Sequence, residues 1–158
     1  ESNGVTRMID RYISGKWKVI PGNGKSTGNY VHVDDVVDGH ILAIDKGKSG
    51  ENYILGGENA DYRRFFEVLS GVSGKKYRLF RIPLPLMLMA SSLMLLSARL
   101  FGTNPLIIPS LVRKFNDDFR LSSSKAMADL GYQRHSLEEG LKLTVECLNR
   151  ESQNAVSK

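Results

Sequence analysis

The sequence predicts a protein that combines α-helices with short β-strands. Segments with helical periodicity alternate with short β-prone runs in the first half of the chain, and helical patterns dominate the second half. No segment repeats at a fixed period. Such an alternation is typical of α/β and α+β proteins, and these observations leave both architectures open.

The N-terminal segment has the periodicity of an amphipathic helix. Ser2 or Asn3 can cap this helix, and Gly15 lies where a C-cap glycine is expected. Two β-prone runs follow, Trp17 to Ile20 and Tyr30 to Val33, and a glycine-rich stretch joins them. The apolar stripe of the helix consists of Val5, Met8, Ile9, Tyr12 and Ile13.

The sequence from Asp34 to Ile82 predicts a helix, a strand, a second helix and another strand. Asp34 or Asp35 is placed to cap the first helix, which ends near Gly47. Asp61 is placed to cap the second helix. The predicted strands cover 53–55 and 77–82. The predicted buried residues are Val37, Ile41 and Ile44 in the first helix and Phe65, Phe66 and Leu69 in the second.

An apolar segment distinguishes the second half of the chain. No charged residue occurs between Arg81 and Arg99, and Leu86 to Ala98 is almost wholly apolar. This segment is at the lower margin for a membrane span and contains two prolines, so we expect a helix that is buried or covered by a partner. A short helix over Ser122 to Leu130 and a final helix that begins with a capping box at Ser136 complete the chain. The apolar stripe of the final helix consists of Leu137, Leu141, Val145 and Leu148, and a polar tail, 151–158, follows this helix.

Length and composition narrow the class of protein. The 158 residues are enough for one domain with a real core, and the net charge of +5 is spread along the chain. Nucleic-acid binding would require a concentrated basic surface or a reading motif, and we expect neither nucleic-acid binding nor membrane contact.

The lone cysteine, Cys147, excludes an internal disulfide and indicates a reducing, cytoplasmic compartment, and we expect it to be packed in the final helix. Because the chain starts with a helical pattern and without Met, we expect a fragment or a processed piece.

The glycine-rich stretch PGNGKSTGN (21–29) resembles a phosphate-binding loop but lacks its requirements. A P-loop would need glycine in place of Val19, and the Rossmann spacing would need glycine in place of Thr27. A strand pattern also follows the stretch, where a phosphate loop needs a helix. The sequence therefore predicts a glycine-rich turn.

Other candidate catalytic groups have simpler interpretations. Tyr12 and Lys16 have the spacing of a dehydrogenase pair, but Gly15 intervenes as the helix ends. His32 precedes two aspartates without a nucleophile at any diagnostic spacing, so it can face either the core or a ligand. His40 and His135 are isolated in sequence, and no pair has metal-ligand spacing.

The stretch NYVHVDDVVDGHILAIDKGKSGENYILGGEN (29–59) resembles an extended short-chain dehydrogenase/reductase of the NAD-dependent epimerase/dehydratase group. The upstream WKVIPGNG (17–24) and the downstream SSSKA, LGY and SLEEGL motifs fit the same group, so the resemblance covers nearly the whole chain. Among its subgroups, the chain most resembles the dihydroflavonol-reductase-like enzymes. The resemblance implies an α/β fold that is the C-terminal part of an extended Rossmann-type protein, with a few short strands and a mainly helical substrate-binding lobe.

The resemblance also implies that the two halves of the enzyme have different functions. In that family the N-terminal half carries the dinucleotide loop and the catalytic tyrosine and lysine, and none of these motifs occurs here. Residues 1–150 would then be the substrate-binding C-terminal portion, with the dinucleotide-binding half absent and no catalytic residue in the chain. The full-length enzyme would use NAD or NADP, whereas we expect the chain alone to bind neither and to be inactive. Its partners would be a small-molecule substrate and either the missing half or a second copy of itself.

A departure from the family pattern bears on the substrate. Nucleotide-sugar members carry an arginine just before the strand that leads into Val-Asp-Asp, and the matching position here is Gly28. This departure and the uncharged segment 86–98 favour an apolar carbinol or carbonyl substrate. The alternatives are a nucleotide-sugar epimerase or dehydratase portion and a truncated, non-catalytic binding module. The residues expected to line the substrate pocket are Tyr30, His32, Leu86 and Met89.

Overall fold

The structure is a computed structural model that describes residues 4–101, 112 and 117–156. Helices and short strands alternate through its first half, as the sequence predicts, and helices predominate in the described part of the second half. The strands are β1 (Val19–Pro21), β2 (Thr27–Tyr30), β3 (Glu58–Asp61) and β4 (Phe80–Ile82). The helices are α1 (Gly4–Ile13), α2 (Val33–Lys46), α3 (Tyr62–Ser73), α4 (Leu84–Phe101), α5 (Ser124–Leu130) and α6 (Leu137–Val156).

The four strands form two separate two-stranded sheets. β1 pairs with β4 in parallel, with Val19 opposite Phe80, and β2 pairs with β3 in antiparallel, with Thr27 opposite Asp61. The strand after the glycine turn therefore lies at 27–30 and not at the predicted 30–33. Because Val33 already begins α2, only Tyr30 is common to the predicted and the observed strand.

The main core lies between the first, third and last helices. α1 and α3 pack against α6, and the largest fully buried side chains here are Tyr12, Phe65 and Leu69. The predicted stripe of α6 is confirmed, because Leu137, Leu141 and Val145 are buried and Leu148 packs against the same core. A smaller core forms around α5, where Ala126, Leu130 and Tyr132 contact Leu42, Ala43, Tyr53 and Leu55.

Most of the predicted helix ends are confirmed. Gly15, with φ of 73°, ends α1, and Gly131, with φ of 73°, ends α5. The Asp61 carboxylate accepts a hydrogen bond from the Arg64 amide at 2.7 Å, which caps α3. The Ser136 amide and hydroxyl both donate to Glu139, which forms the predicted capping box of α6. The predicted caps Ser2 and Asn3 lie outside the described residues.

Two predictions about α2 are wrong. The N-cap is His32, whose Nδ1 accepts from the Asp34 amide at 3.4 Å, and both aspartates lie in the first turn. The predicted buried stripe of Val37, Ile41 and Ile44 is exposed. The helix instead packs through its opposite face, where Asp35 and Gly39 are buried.

Three further predictions differ from the structure. Residues 53–55 form no strand, because no other described segment pairs with them. Cys147 is exposed, since it lies on the outer face of α6. α6 continues through Arg150 to Val156, so the helix extends into the predicted polar tail.

The apolar segment of the second half forms α4, which Leu84 begins. Ser91 and Ala98 are buried, whereas several larger side chains of this helix are exposed. In the part of the chain that the structure describes, no helix is both long and apolar enough to cross a membrane.

Candidate functional site

The turn from β2 into α2 positions two of the predicted substrate residues, Tyr30 and His32. The Tyr30 ring stacks against Phe65, with centroids 4.6 Å apart, and it also covers Gly28. A Cβ at position 28 would lie 3.1 Å from the Tyr30 ring and hydroxyl. Burial, helped by the nearby Tyr62 and Asp61, raises the pKa of Tyr30 well above its ordinary value. Tyr30 is therefore a neutral side chain that packs between Phe65 of the core and Gly28 of β2.

His32 and Asp35, which are close in sequence, belong to a polar cluster that also contains His135, a member that the sequence does not indicate. The His32 ring packs edge-on against His135 at 5.7 Å, and His135 Nδ1 lies 2.6 Å from Asp35 Oδ1. The second Asp35 oxygen accepts from the His135 amide at 3.0 Å. The buried Asp35 carboxylate thus joins the start of α2 to the segment before α6. His135, which is isolated in sequence, has a partner 100 positions away, a contact that no local spacing could reveal.

The charge of this cluster depends on His135. The hydrogen bond to Asp35, and then the negative charge of Asp35, raise the pKa of His135 above its ordinary value. The side chain is 40% exposed, so its remaining ring nitrogen can meet solvent or a ligand. The arrangement resembles the orienting half of an acid–base dyad, but the described residues place no hydroxyl or thiol nucleophile beside it in a hydrogen bond.

A hydrogen-bonded junction holds β2 against the loop that precedes β3. The Asn29 amide donates to the Gly57 carbonyl at 3.0 Å, and its oxygen accepts from the Gly57 amide at 2.8 Å. The Ser123 hydroxyl bonds both the amide and the carbonyl of Gly56. Gly57 must be glycine here, because a Cβ would lie 1.7 Å from the Tyr30 carbonyl oxygen. The junction fixes the backbone that carries Tyr30 and His32.

The other two predicted substrate residues, Leu86 and Met89, lie on α4. Both are exposed, and Leu93 and Leu96 extend the same face at helical spacing. The four side chains are 50–61% exposed. The buried Ser91 and Ala98 lie on the opposite face of the helix. The four predicted residues are thus divided between the β2–α2 turn and the exposed face of α4.

Residues 22–26 of the glycine-rich stretch form a turn, as predicted, whereas 27–29 belong to β2. Gly22 and Gly24 adopt φ of 57° and 75°, and the Arg63 guanidinium donates to the Asn23 carbonyl. The Arg63 amide also donates to the Gly24 carbonyl at 3.2 Å. The turn thus bonds to Arg63 of α3, and the Gly22 amide donates to the Ile82 carbonyl of β4 at 3.0 Å. β2 follows the turn, where a phosphate-binding loop needs a helix.

The described residues contain neither a cluster of metal ligands nor a catalytic arrangement of Tyr12 and Lys16. Within residues 4–101, 112 and 117–156, no three His, Cys, Asp or Glu side chains lie close enough to hold a metal ion. His40 is exposed, with Nδ1 2.7 Å from the Val36 carbonyl. The Tyr12 hydroxyl is turned into the core, where it donates to the Lys75 carbonyl at 3.0 Å.

Comparison with known proteins identifies related sequences. The NAD dependent epimerase/dehydratase family matches residues 1–56. Short-chain dehydrogenase/reductase family 42E member 1 of Bos taurus is 28% identical over 84% of this chain and 37% of its own length. The 3beta-hydroxysteroid-dehydrogenase/decarboxylase isoform 1 of Arabidopsis thaliana is 28% identical over 90% of this chain and 36% of its own length. A putative dihydroflavonol 4-reductase of Synechocystis is 29% identical over 72% of this chain and 34% of its own length.

Solved structures have the same fold. The protein gox2253 matches with a TM-score of 0.71 and 29% identity, covering 95% of this chain and 44% of its own. UDP-glucose 4-epimerase of Thermotoga maritima, with UDP-glucose, matches with a TM-score of 0.65 and 27% identity, covering 97% of this chain and 41% of its own. The chain thus spans well under half the length of these proteins, and the predicted α/β, Rossmann-type fold class is confirmed. The predicted resemblance is thus confirmed: residues 1–56 match the NAD dependent epimerase/dehydratase family, and the chain is similar to short-chain dehydrogenases/reductases, including a dihydroflavonol-reductase-like protein.

Proposed function

We propose that this chain is the substrate-binding portion, residues 1–150, of an NAD(P)-dependent oxidoreductase or epimerase that acts on an apolar carbinol or carbonyl compound. The observation that carries the proposal is the exposed apolar face of α4. Leu86, Met89, Leu93 and Leu96 form a continuous row, and no charged residue lies between Arg81 and Arg99 to hydrate it. These side chains are already about half-buried, so covering the rest of one contributes about half of the roughly 1.5–3 kcal/mol of full burial. An apolar ligand would gain most of its binding free energy on this face.

The β2–α2 turn supports the same substrate class. Nucleotide-sugar members of the family place an arginine at the position of Gly28, and the Tyr30 ring occupies the space beside that position. A long cationic side chain there would have to displace a ring that stacks on Phe65. The turn is thus built around an aromatic ring where those relatives have a diphosphate-binding group.

The names of the relatives include both substrate classes, apolar ring compounds and nucleotide sugars. A steroid and a dihydroflavonol, which name two of the relatives, are ring alcohols or ketones with large apolar surfaces. UDP-glucose, found with the Thermotoga maritima protein, is a charged nucleotide sugar. The face of α4 is suited to the first class, and a nucleotide sugar remains the rival substrate.

Three of the described helix N-termini, those of α2, α3 and α6, are poorly suited to a dinucleotide. A diphosphate is held by free amides at a helix N-terminus, after a glycine-rich turn. Here the first turns of α2 and α6 carry carboxylates, and the Asp61 carboxylate occupies the N-terminus of α3. These negative charges oppose a second anion at the same ends. We therefore assign NAD or NADP to a separate dinucleotide-binding portion and no cofactor to this chain, and we propose a cytoplasmic setting for the whole enzyme.

The test is a titration of the purified chain with four probes. Progesterone serves as an apolar ketone, UDP-glucose as a nucleotide sugar, and NADH and NADPH as cofactors. We expect progesterone binding that weakens by about tenfold or more in the double variant Leu86→Ser/Met89→Ser, because each serine removes apolar contact area. Leu143→Ser, at an exposed leucine of α6, is the matched control and should leave the affinity unchanged. Binding of UDP-glucose without progesterone would reject the substrate class, and tight NADH or NADPH binding would reject the assignment of the cofactor.

A further inference from the structure

The positive charge of the chain is concentrated in two segments that the fold brings together. Residues 4–18 and 74–83 contain eight basic residues and a single acidic residue, Asp10, whereas the whole chain has a net charge of only +5. The rest of the chain is therefore net negative. The basic residues of the two segments are Arg7, Arg11, Lys16, Lys18, Lys75, Lys76, Arg78 and Arg81.

Hydrogen bonds hold the two segments side by side. The Tyr12 hydroxyl of α1 donates to the Lys75 carbonyl at 3.0 Å, and these two residues are 63 positions apart. The Phe80 amide of β4 donates to the Lys18 carbonyl at 2.8 Å, next to the parallel pairing of β1 with β4. Because the segments are distant in sequence, their cations look scattered along the chain, and for this reason the sequence predicts neither a basic surface nor membrane contact.

The cations of the two segments lie on the outer face of the fold. Trp17 packs against the main core from between Lys16 and Lys18, which are exposed. Tyr77 and Leu79 pack against the same core, whereas the residues that alternate with them are exposed. Such an alternation turns the intervening side chains away from the core. The resulting basic surface consists of Arg11, Lys16, Lys18, Lys75, Lys76 and Arg78.

Apolar side chains accompany this basic surface. In the part of the chain that the structure describes, none of its six cations forms an ion pair. Phe80 is 57% exposed, and the Arg78 guanidinium carbon lies 5.9 Å from the centre of its ring. β4 then leads into α4, where Leu86 and Met89 are also exposed. Unpaired cations and exposed apolar groups thus follow one another along the same stretch of chain.

An anionic membrane surface complements both features. Each Lys or Arg near the anionic lipids of a cytoplasmic leaflet strengthens binding about fivefold, so six give a partition constant of about 10⁴ M⁻¹. That value holds most of the chain on vesicles at about 1 mM lipid. Apolar side chains that enter the interface add a second, non-electrostatic attraction. A nucleic acid would also attract the cations, but it would leave Leu86 and Met89 in water, whereas the interface of a membrane covers them.

We propose that the basic surface and Phe80 dock this chain on an anionic membrane surface, with α4 beside the bilayer. The cations would contact lipid phosphate and carboxylate groups, and the Phe80 ring would enter the interfacial region. Delivery of an apolar substrate from the bilayer to α4 rests on the proposed function, whereas docking rests on charge and exposure in this chain. Docking of this kind requires no helix that crosses the bilayer.

The first experiment measures binding of the purified chain to vesicles by flotation. The vesicles contain phosphatidylcholine alone or phosphatidylcholine mixed with phosphatidylserine. We expect at least about tenfold stronger binding to the mixed vesicles. This binding should fall when NaCl is raised from about 0.1 M to about 1 M, because salt screens the charges. Equal binding to both kinds of vesicle, or no binding to the mixed vesicles, would overturn the proposal.

The second experiment locates the docking surface with variants. Lys75→Gln/Lys76→Gln should weaken binding to the mixed vesicles by about 25-fold. Phe80→Ser should weaken it by about fivefold, because apolar contact area is lost. All three side chains are exposed, so circular dichroism should show folded variants. Lys46→Gln/Arg134→Gln is the matched control, since it changes the net charge equally at exposed positions of α2 and of the segment before α6. The proposal is wrong if this control weakens binding as much as Lys75→Gln/Lys76→Gln does.

Two further titrations separate the alternatives. A single-stranded RNA that binds the chain more tightly than the mixed vesicles do, and that loses affinity in Lys75→Gln/Lys76→Gln, would replace the membrane with a nucleic acid. Progesterone binding in the absence of vesicles tests the proposed function separately. A chain that binds progesterone and not the mixed vesicles rejects only the docking, whereas a chain that binds the vesicles and not progesterone rejects only the substrate class.

Discussion

Replacement of Gly57 by alanine gives the sharpest test of how the β2–α2 turn is held. The new Cβ would lie 1.7 Å from the Tyr30 carbonyl oxygen and 2.6 Å from the Val31 Cα. Both neighbours are backbone atoms, so no rotamer change can relieve the overlap. β2 and the loop before β3 would have to separate by more than 1 Å, and this movement breaks the two hydrogen bonds between Asn29 and Gly57.

The magnitude follows from these contacts. Two hydrogen bonds at about 0.5–1.5 kcal/mol each, together with about 1–3 kcal/mol of overpacking, give a loss of about 2–6 kcal/mol. Urea denaturation followed by circular dichroism measures this loss, and at an m-value of about 2 kcal/mol/M the midpoint should fall by about 1–3 M. Gly71→Ala is the control, because Gly71 lies inside α3 with no atom within 4 Å of its added Cβ. It should stabilise the protein by about 0.5–1 kcal/mol through helix propensity. A Gly57→Ala variant as stable as wild type would refute this account of the turn.

Three further outcomes are expected. Asp35 raises the pKa of His135, so the stability from this pair is complete below the unfolded-state pKa of about 6.5 and is lost as pH rises through the folded-state value. The effect should stay below about 1 kcal/mol because His135 is 40% exposed, and unfolding measured at pH 6 and pH 9 should show the difference in wild type and not in His135→Gln. Asp61→Ala removes the cap of α3 and should lower the free energy of unfolding by about 1 kcal/mol, whereas Asp61→Asn should retain most of it in the same urea titration. Phe65→Ala should cost about 3–5 kcal/mol because the ring is fully buried, and a loss below about 1 kcal/mol by calorimetry would contradict the position of the core.

The parts of the fold that the sequence predicts correctly depend on local chemistry. The stripe of α6, the cap of α3 by Asp61 and the end of α1 at Gly15 each involve residues a few positions apart. Their physical causes, helical periodicity and satisfaction of terminal amides, are visible in any short window of sequence. The sequence also predicts correctly that the glycine-rich stretch is no phosphate-binding loop, because a strand pattern and not a helix follows it.

The incorrect predictions arise where partners are distant in sequence. The sequence predicts Asp35 only as a helix cap, because its position before α2 is a local signal, whereas its bond to His135 spans 100 positions. Periodicity alone cannot choose between the two apolar faces of α2, and the packed face is set by α5 and Leu55. Residues 53–55 have the composition of a strand, yet a strand needs a neighbour, and the described residues supply none. The predicted substrate residues stay predictions until ligand binding is measured.

The two exposed apolar surfaces differ in a way that bears on their occupants. The face of α4 has no charge between Arg81 and Arg99, so a ligand there meets only dispersion and hydrophobic contact, which suits an uncharged small molecule. The stripe of α2 has an acidic margin and lies on a helix that packs against an unpaired extended segment. Directional hydrogen bonds and fixed charges specify register and orientation, which a polypeptide partner requires and a small apolar ligand does not. This contrast in charge and backbone pairing is the reason for proposing a small apolar substrate at α4 and not at α2.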